Sequence, residues 1–307
     1  MSPHPVLMTG ASGFIGQRLQ SILLENGRGV CAIIRPFSSN FSQISPACEV
    51  VTAELSDREK LAAACANAEA VIYCAGTVRG RDPGDFKAAN VDGVAHLVDS
   101  LNHSGSQAPF LLISSLAASR PEISDYANSK YLGEKALETN ASFPWAIFRP
   151  PAVYGPGDRE MLPILKMARR GLVTRPGPAG QRLSLLHVDD LSRAVLAWLE
   201  SWQECQGQTF TLDDGRANGY DWQAIAEAAT KGRYLSLGIP RSLLATAANI
   251  NLGLSAVFSY APMLTPGKVR ELTQPDWLCD NSELNRATGW EPSIDLESGI
   301  RQLFSGP

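Results

Sequence analysis

Short apolar runs alternating with helical patterns through the first half of the chain narrow the fold more than any other feature. PVLMT leads into GQRLQSILLENG, GVCAIIR into a polar loop, EVVTAEL into DREKLAAACANA, AVIYCAG into VDGVAHLVDSLN, and PFLLISS into YANSKYLGEKALE; WAIFRP closes the series. Brief strands that each feed a crossover helix imply a parallel sheet covered on both faces, a doubly wound α/β pattern. Beyond Pro151 the alternation gives way to Pro- and Gly-rich loops (PPAVYGPGD, RPGPAG), a helix near LSRAVLAWLESW, a strand near QTFTLDD and mostly helical material to the end. The expected division is therefore a sheet domain over 1–150 and a smaller lobe over 151–307, some of whose segments return to the first domain.

The first apolar run ends in Thr9-Gly10-Ala11-Ser12-Gly13-Phe14-Ile15-Gly16, directly before the first helical pattern. Glycines in a strand-to-helix turn let the backbone approach a pyrophosphate, which then sits at the positive end of the helix. The spacing is GxxGxxG rather than GxGxxG, and a glycine turn alone can also be a tight connection with no ligand. With the strand before it and the helix after it, the turn predicts a Rossmann-type dinucleotide site whose contacts include Gly10, Ser12, Gly13, Phe14, Ile15 and Gly16. At the end of the second strand an acidic residue would bond a ribose 2′-hydroxyl, whereas an arginine would accommodate a 2′-phosphate. The chain has Ile33-Ile34-Arg35 there and no Asp or Glu before Glu49, which favours NADP over NAD. Ser38 and Ser39 are further candidate phosphate ligands.

Chemistry is suggested by Ser114-Ser115 at the end of FLLISS and by Tyr126 and Lys130, four residues apart on the following helix. That spacing puts phenol and amine on one face, and a nearby ammonium favours a phenolate. Ser115 would hydrogen-bond a substrate oxygen while Tyr126 gives or takes its proton.

The glycine turn, the strand-end serine and the YxxxK helix together resemble the short-chain dehydrogenase/reductase superfamily, and within its extended branch the NAD-dependent epimerase/dehydratase family. Further segments carry the resemblance: Cys74-Ala75-Gly76, Asn90-Val91-Asp92-Gly93, RPPAVYGPGD from Arg149 to Asp158, HVDDL from His187 to Leu191, and the tail TGWEPSIDLESGIRQ. The resemblance implies catalysis by Ser115, Tyr126 and Lys130, with Tyr126 and Lys130 also touching cofactor. It places Leu55 near the adenine, Cys74, Ala75 and Gly76 along the cofactor, and Pro150 and Val153 on the nicotinamide side. Glu54 stands where the family often has Asp. Asn90 is either a support for the active-site helix or an ordinary helix-start residue. His187, Asp189 and Asp190 are expected to hold the junction between lobes, and Arg159 and Arg182 either meet an anionic substrate group or stand in solvent.

The family covers several reactions. Leu116-Ala117 follow Ser115 where 4,6-dehydratases resemble one another in having an Asp-Glu pair, so a dehydratase is disfavoured. The connection from Ser115 to Tyr126 is shorter than the one that typical sugar-nucleotide epimerases of the family resemble one another in having, which implies a more open or differently covered pocket. With Arg35 and the apolar 242–267 stretch it points to an NADPH-dependent ketone reductase or alcohol dehydrogenase of the dihydroflavonol-reductase or 3β-hydroxysteroid-dehydrogenase kind. The expected function is hydride transfer at a secondary alcohol or ketone carbon, on a nucleotide sugar or a more apolar substrate, by a reductase, dehydrogenase or epimerase. A dinucleotide-binding scaffold or assembly protein without turnover is the alternative. By the same resemblance the helices after Asn90 and around Tyr126 would pair in a homodimer through HLVDSL and YLGEKAL, faces that could equally pack on the sheet.

Composition excludes other classes. A formal net charge of −4 offers no basic field for nucleic acid. The six cysteines form no CxxC pair, and the four histidines have no Cys or carboxylate at metal spacing; no metal is expected. The N-terminus lacks a basic region followed by an apolar stretch, so a cytoplasmic location is expected. Between Arg241 and Lys268 there is no Asp, Glu, Lys or Arg. Asn249, Asn251, Gly253 and Pro262 interrupt this 242–267 stretch, which argues against a spanning helix. A substrate lid, a partner surface and a membrane-peripheral patch are all open readings of it.

Overall fold

The computed structural model describes residues 4–230 and 232–304. Each apolar run of the first half forms a strand: β1 (Val6–Thr9), β2 (Val30–Ile34), β3 (Glu49–Thr52), β4 (Ala70–Tyr73), β5 (Phe110–Ile113) and β6 (Trp145–Arg149). The helices between them are α1 (Phe14–Glu25), α2 (Arg58–Ala66), α3 (Pro83–Lys87), α4 (Gly93–Ser104) and α5 (Asp125–Asn140). The next strands are β7 (Ala152–Tyr154), β8 (Leu172–Arg175), β9 (Arg182–Leu183), β10 (Leu185–His187) and β11 (Gln208–Thr211), with α6 (Leu162–Arg169) after β7 and α7 (Val188–Ser201) after β10. The chain ends with α8 (Trp222–Ala229), β12 (Leu235–Gly238), α9 (Arg241–Phe258), α10 (Pro266–Leu272), β13 (Asp276–Trp277), α11 (Ser282–Thr288) and α12 (Leu296–Phe304).

Seven strands make one parallel sheet in the order β11-β6-β5-β4-β1-β2-β3. The period-two alternation of strand side chains divides the core in two. Val6 and Met8 join Leu19, Leu23, Trp198 and Phe210 on the face covered by α1 and α7. Leu7 and Tyr73 join Leu97, Leu101 and Leu137 on the face covered by α2, α4 and α5. The strand order reverses between β1 and β4, and in such sheets the crevice at the carboxyl ends of those strands is the ligand site.

β11, the QTFTLDD strand, adds to the sheet beside β6 in register Phe210 to Phe148. A third cluster, with Tyr154, Leu165, Tyr220, Trp222 and Ile300, forms the core of the later segments. Three parallel two-stranded pairs, β7–β10, β8–β12 and β9–β13, stitch those segments together. They are too short to show a hydrophobic period, and most of them escaped the sequence reading. The helix expected from VDGVAHLVDSLN also begins earlier: α3 runs through a π-helical segment, Ala88–Asp92, into α4.

Candidate active site

The glycine turn lies at the carboxyl end of β1. Gly10 takes φ +69°, and a Cβ there would lie 2.6 Å from the Ala75 amide nitrogen. Thr9 draws the end of β4 to the turn, its hydroxyl accepting from the Cys74 and Ala75 amides at 3.2 and 3.1 Å. A Cβ at Gly16 would lie 2.1 Å from the Gly10 carbonyl oxygen, so α1 can start this close to the turn only with glycine there. The Gly13 amide donates to that same oxygen at 2.9 Å. Gly13 caps α1 in an extended conformation without a side-chain bond, and the first turn holds no acidic residue. The leading amides of α1 therefore have no side-chain acceptor, the arrangement that could hold an anion. Ser12, Phe14 and Ile15 are half-buried there.

Arg35 follows β2 directly and is exposed. Phe37 beyond it takes φ +58° and is fully exposed, and Ser38 accepts from the Asn40 amide. Leu55 packs with Tyr73 and Val94 on the second core face, where a Cβ on Gly93 would approach it to 2.7 Å. Glu54 is exposed. The Pro150 carbonyl accepts from the Leu116 amide at 2.8 Å, tying the loop after Ser115 to the end of β6, and Val153 packs on the first core face.

Ser124 starts α5, its hydroxyl accepting from the Ala127 amide at 3.0 Å. This places Tyr126 in the first turn, half-buried, against the edge of Phe86 at 6.2 Å and close enough to Ser115 for its phenol to feel that hydroxyl. Burial pushes the Tyr126 phenol above its ordinary range, against the opposing pull of Ser115 and Lys268, while Glu271 adds to the rise. The cation acting on the phenol differs from the expected one. Lys130 is buried beneath the β4 and β5 ends, donating to the Ile113 carbonyl at 3.3 Å, and its charge is felt by Cys74 and Glu134. Burial lowers its pKa. A Cβ on Gly76 would come within 3.0 Å of the Lys130 amine, so the glycine leaves room for the amine beside it. Lys268 of α10 stands over the Tyr126 ring instead, 5.6 Å from its centroid.

Glu134, Lys268, Arg270 and Glu271 support this site from outside the motifs, and Asn90 supports it from within one. Glu134, one helical turn beyond Lys130, is fully buried; it accepts from Ser114 at 2.5 Å and from Arg149 Nε at 2.9 Å, fastening α5 to β5 and β6. A carboxylate at i+4 on the Tyr126–Lys130 face was a readable signal for it. Asn90 holds the Thr77 amide and carbonyl, each at 2.9 Å, and donates to Ser129 at 2.9 Å, so it supports the α5 helix. Lys268 pairs with buried Glu271 at 2.7 Å, and Glu271 accepts from the capping Ser124 at 2.5 Å. Arg270 donates to the Ile123 carbonyl at 2.6 Å, so α10 is fastened to the start of α5. Nothing local in the sequence linked 268–271 to Tyr126.

Tyr126 and Lys268 border a pocket whose other lining includes Phe86, Leu252, Pro262 and Met263. The charge-free 242–267 stretch thus supplies one wall. His187, Asp189 and Asp190 lie away from it. Asp189 pairs with Arg18 of α1 at 2.6 Å. Asp190 is fully buried and accepts from the Ser293 and Ile294 amides at 3.1 and 2.8 Å. His187 is fully buried and accepts from the Asp189 amide, and burial lowers its pKa. Arg159 is exposed, and Arg182 pairs with Asp221 at 3.1 Å. Among the described residues no three His, Cys, Asp or Glu side chains converge on a metal-sized site, and no helix is long and apolar enough to cross a membrane.

Residues 6–212 match the NAD dependent epimerase/dehydratase family. A ceramide reductase of Caulobacter vibrioides is 32% identical over 286 residues, covering 89% of this chain and 85% of that protein. A 2-alkyl-3-oxoalkanoate reductase of Stenotrophomonas maltophilia is 22% identical over 97% of this chain and 98% of its own length. Among solved structures, UDP-glucose 4-epimerase from Thermotoga maritima, with UDP-glucose, superposes with a TM-score of 0.73 at 22% identity, covering 97% of this chain and 96% of that one.

Proposed function

The chain belongs to the NAD-dependent epimerase/dehydratase family, and from that premise we propose that it reduces a ketone, or oxidises the matching secondary alcohol, on a substrate with an apolar body, using NADP in preference to NAD. One observation carries this reading: Tyr126, whose phenol feels the Ser115 hydroxyl, lines a pocket that Leu252, Pro262 and Met263 also line. A carbonyl oxygen lodged between the hydroxyls is polarised by Ser115 and protonated by Tyr126, while an apolar chain lies along the uncharged wall. The names of the two reductases above, on ceramide and on an alkyl-oxoalkanoate, point the same way.

The residues present fit a dinucleotide. Gly10, Ser12, Gly13, Phe14, Ile15 and Gly16 would cradle the pyrophosphate on the uncapped start of α1. Leu55 would face the adenine, Cys74, Ala75 and Gly76 the middle, and Pro150 and Val153 the nicotinamide end. Lys130, which packs beside Gly76, would hold a ribose hydroxyl. When bound, the nicotinamide supplies the hydride for reduction and takes it back for oxidation. Exposed Arg35, with no acidic residue before Glu49, supports a 2′-phosphate beside β2. Residues 151–307 would form most of the substrate lobe over a cofactor domain of 1–150. The protein would act as a cytoplasmic homodimer paired through α4 and α5, where Leu132 is exposed while Leu97, Leu101 and Leu137 face the sheet.

The test is NADPH consumption with a 2-alkyl-3-oxoalkanoate and a long-chain 3-oxo amide, compared with NADH and with Tyr126→Phe. We expect turnover with NADPH, and a loss of about 10²- to 10⁴-fold in Tyr126→Phe with NADPH binding retained. An unchanged rate in the variant would sink the acid/base role. Tightly retained NAD with interconversion of sugar nucleotides would establish an epimerase instead, and dinucleotide binding without turnover of either class would establish a scaffold.

A further inference from the structure

We propose that the outer face of α9 docks on the surface of an anionic lipid bilayer and brings the mouth of the Tyr126 pocket to the membrane. Of the eighteen residues of α9, only Ala248 and Ser255 are buried. Leu243, Ile250, Leu254, Val257 and Phe258 are between 46% and 75% exposed. At 100° per residue these five fall within a face about 100° wide that excludes the buried pair. An exposed stripe of large apolar side chains on one helix is unusual for a surface that meets only water.

Charge decides which partner fits. Residues 228–270 contain no Asp or Glu, in a chain whose formal net charge is −4. Lys268 and Arg270 are engaged within the fold by Glu271 and the Ile123 carbonyl, which leaves Arg233 and Arg241 beside the stripe. Arg233 precedes the helix and Arg241 begins it, and both are exposed. An apolar helix face in a locally cationic segment is the combination that lies in the headgroup boundary of anionic lipid, and α9 is not built to cross it. A protein partner would meet the apolar stripe equally well but gives no reason for excluding every acidic residue across the segment.

The helix also connects this surface to the pocket. Leu252, on the inward side of α9, lines the pocket, as do Pro262 and Met263 just beyond it. Asn251 donates to the Leu264 carbonyl at 2.9 Å and accepts from Tyr260, folding the following loop back beneath the helix. With the stripe on the bilayer, the pocket lies about one helix diameter, ~10 Å, from the acyl boundary. An apolar ketone could pass between them without crossing water. This adds to the ketone-reductase reading, and the docking itself needs no turnover.

Co-sedimentation of the full chain with phosphatidylglycerol/phosphatidylethanolamine vesicles, and with pure phosphatidylcholine vesicles, tests the proposal without substrate. We expect binding to the anionic vesicles that weakens in high salt, and little binding to phosphatidylcholine. Ile250→Ser/Val257→Ser/Phe258→Ser should lose at least tenfold in binding while keeping its melting temperature and NADPH affinity. Arg233→Ser and Arg241→Ser should each weaken binding by roughly fivefold. No vesicle binding by the wild type, or equal binding by the triple variant, overturns the proposal. A wild-type dimer that becomes monomeric in the triple variant, without vesicle binding, assigns the stripe to a second copy. Failure of ketone turnover with vesicle binding intact counts against the reaction and leaves the docking surface standing.

Discussion

At the Tyr126 phenol, burial and three neighbours compete. Burial raises the pKa, Ser115 and Lys268 oppose the rise, and Glu271 adds to it. A protonated phenol is the acid that carbonyl reduction needs, so reduction is expected to hold through neutral pH and fall only as the pH passes the phenol's pKa. Lys268→Met removes a charge that favours phenolate and should move the alkaline limb of kcat/KM to higher pH. Glu271→Gln removes an opposing anion and should move it lower. Alcohol oxidation needs the phenolate, so its rate should rise with pH along the same limb. Profiles of kcat/KM for the three proteins check this; coincident curves would mean that α10 has no electrostatic effect on Tyr126. The motif residues were legible because Tyr126 and Lys130 sit on one local helix face. Lys268 was not, because it reaches the ring only when α10 is fastened to the start of α5 by Glu271 and Arg270.

Among the elements, α5 carries the site and is held from three sides: Ser124 caps it, Glu134 ties it to β5 and β6, and Gly133 packs against the π-helical segment before α4. A Cβ on Gly133 would lie 2.1 Å from the Asn90 carbonyl oxygen. Gly133→Ala must therefore push α5 away from Asn90, the residue that holds Thr77 and Ser129. We expect a loss of about 1–3 kcal/mol in stability, the usual range for overpacking, together with weaker dinucleotide binding. Urea unfolding and a cofactor titration measure the two, and an unchanged protein would show that the helices separate without effect. The extended α3–α4 helix escaped the sequence reading because its first turns, PGDFKAAN, show no hydrophobic period, and the π segment interrupts what period follows.

In the molecule as a whole, the late segments join the sheet through the apolar core, to which Leu191, Trp198, Phe210 and Trp290 contribute, and through buried polar contacts. Asp190 of α7 accepts from the Ser293 and Ile294 amides, holding the tail that leads into α12. Asp190→Ala would leave those amides without this acceptor, and we expect a cost of about 2–4 kcal/mol. Denaturant unfolding should show a lower midpoint at constant slope; an unchanged midpoint would show the tail to be held elsewhere. Six of the seven parallel strands, the glycine turn ahead of α1 and the spacing of Tyr126 and Lys130 on one helix follow from the sequence by itself, because apolar period, glycine spacing and helix-face spacing are local properties of the chain; the place of β11 beside β6 does not. Tertiary structure alone brought Lys268 over the Tyr126 ring, buried Glu134 between Ser114 and Arg149, and laid α9, uncharged after Arg241, with one side on the pocket and the other outward. Those arrangements depend on where distant segments pack, and no local pattern encodes that.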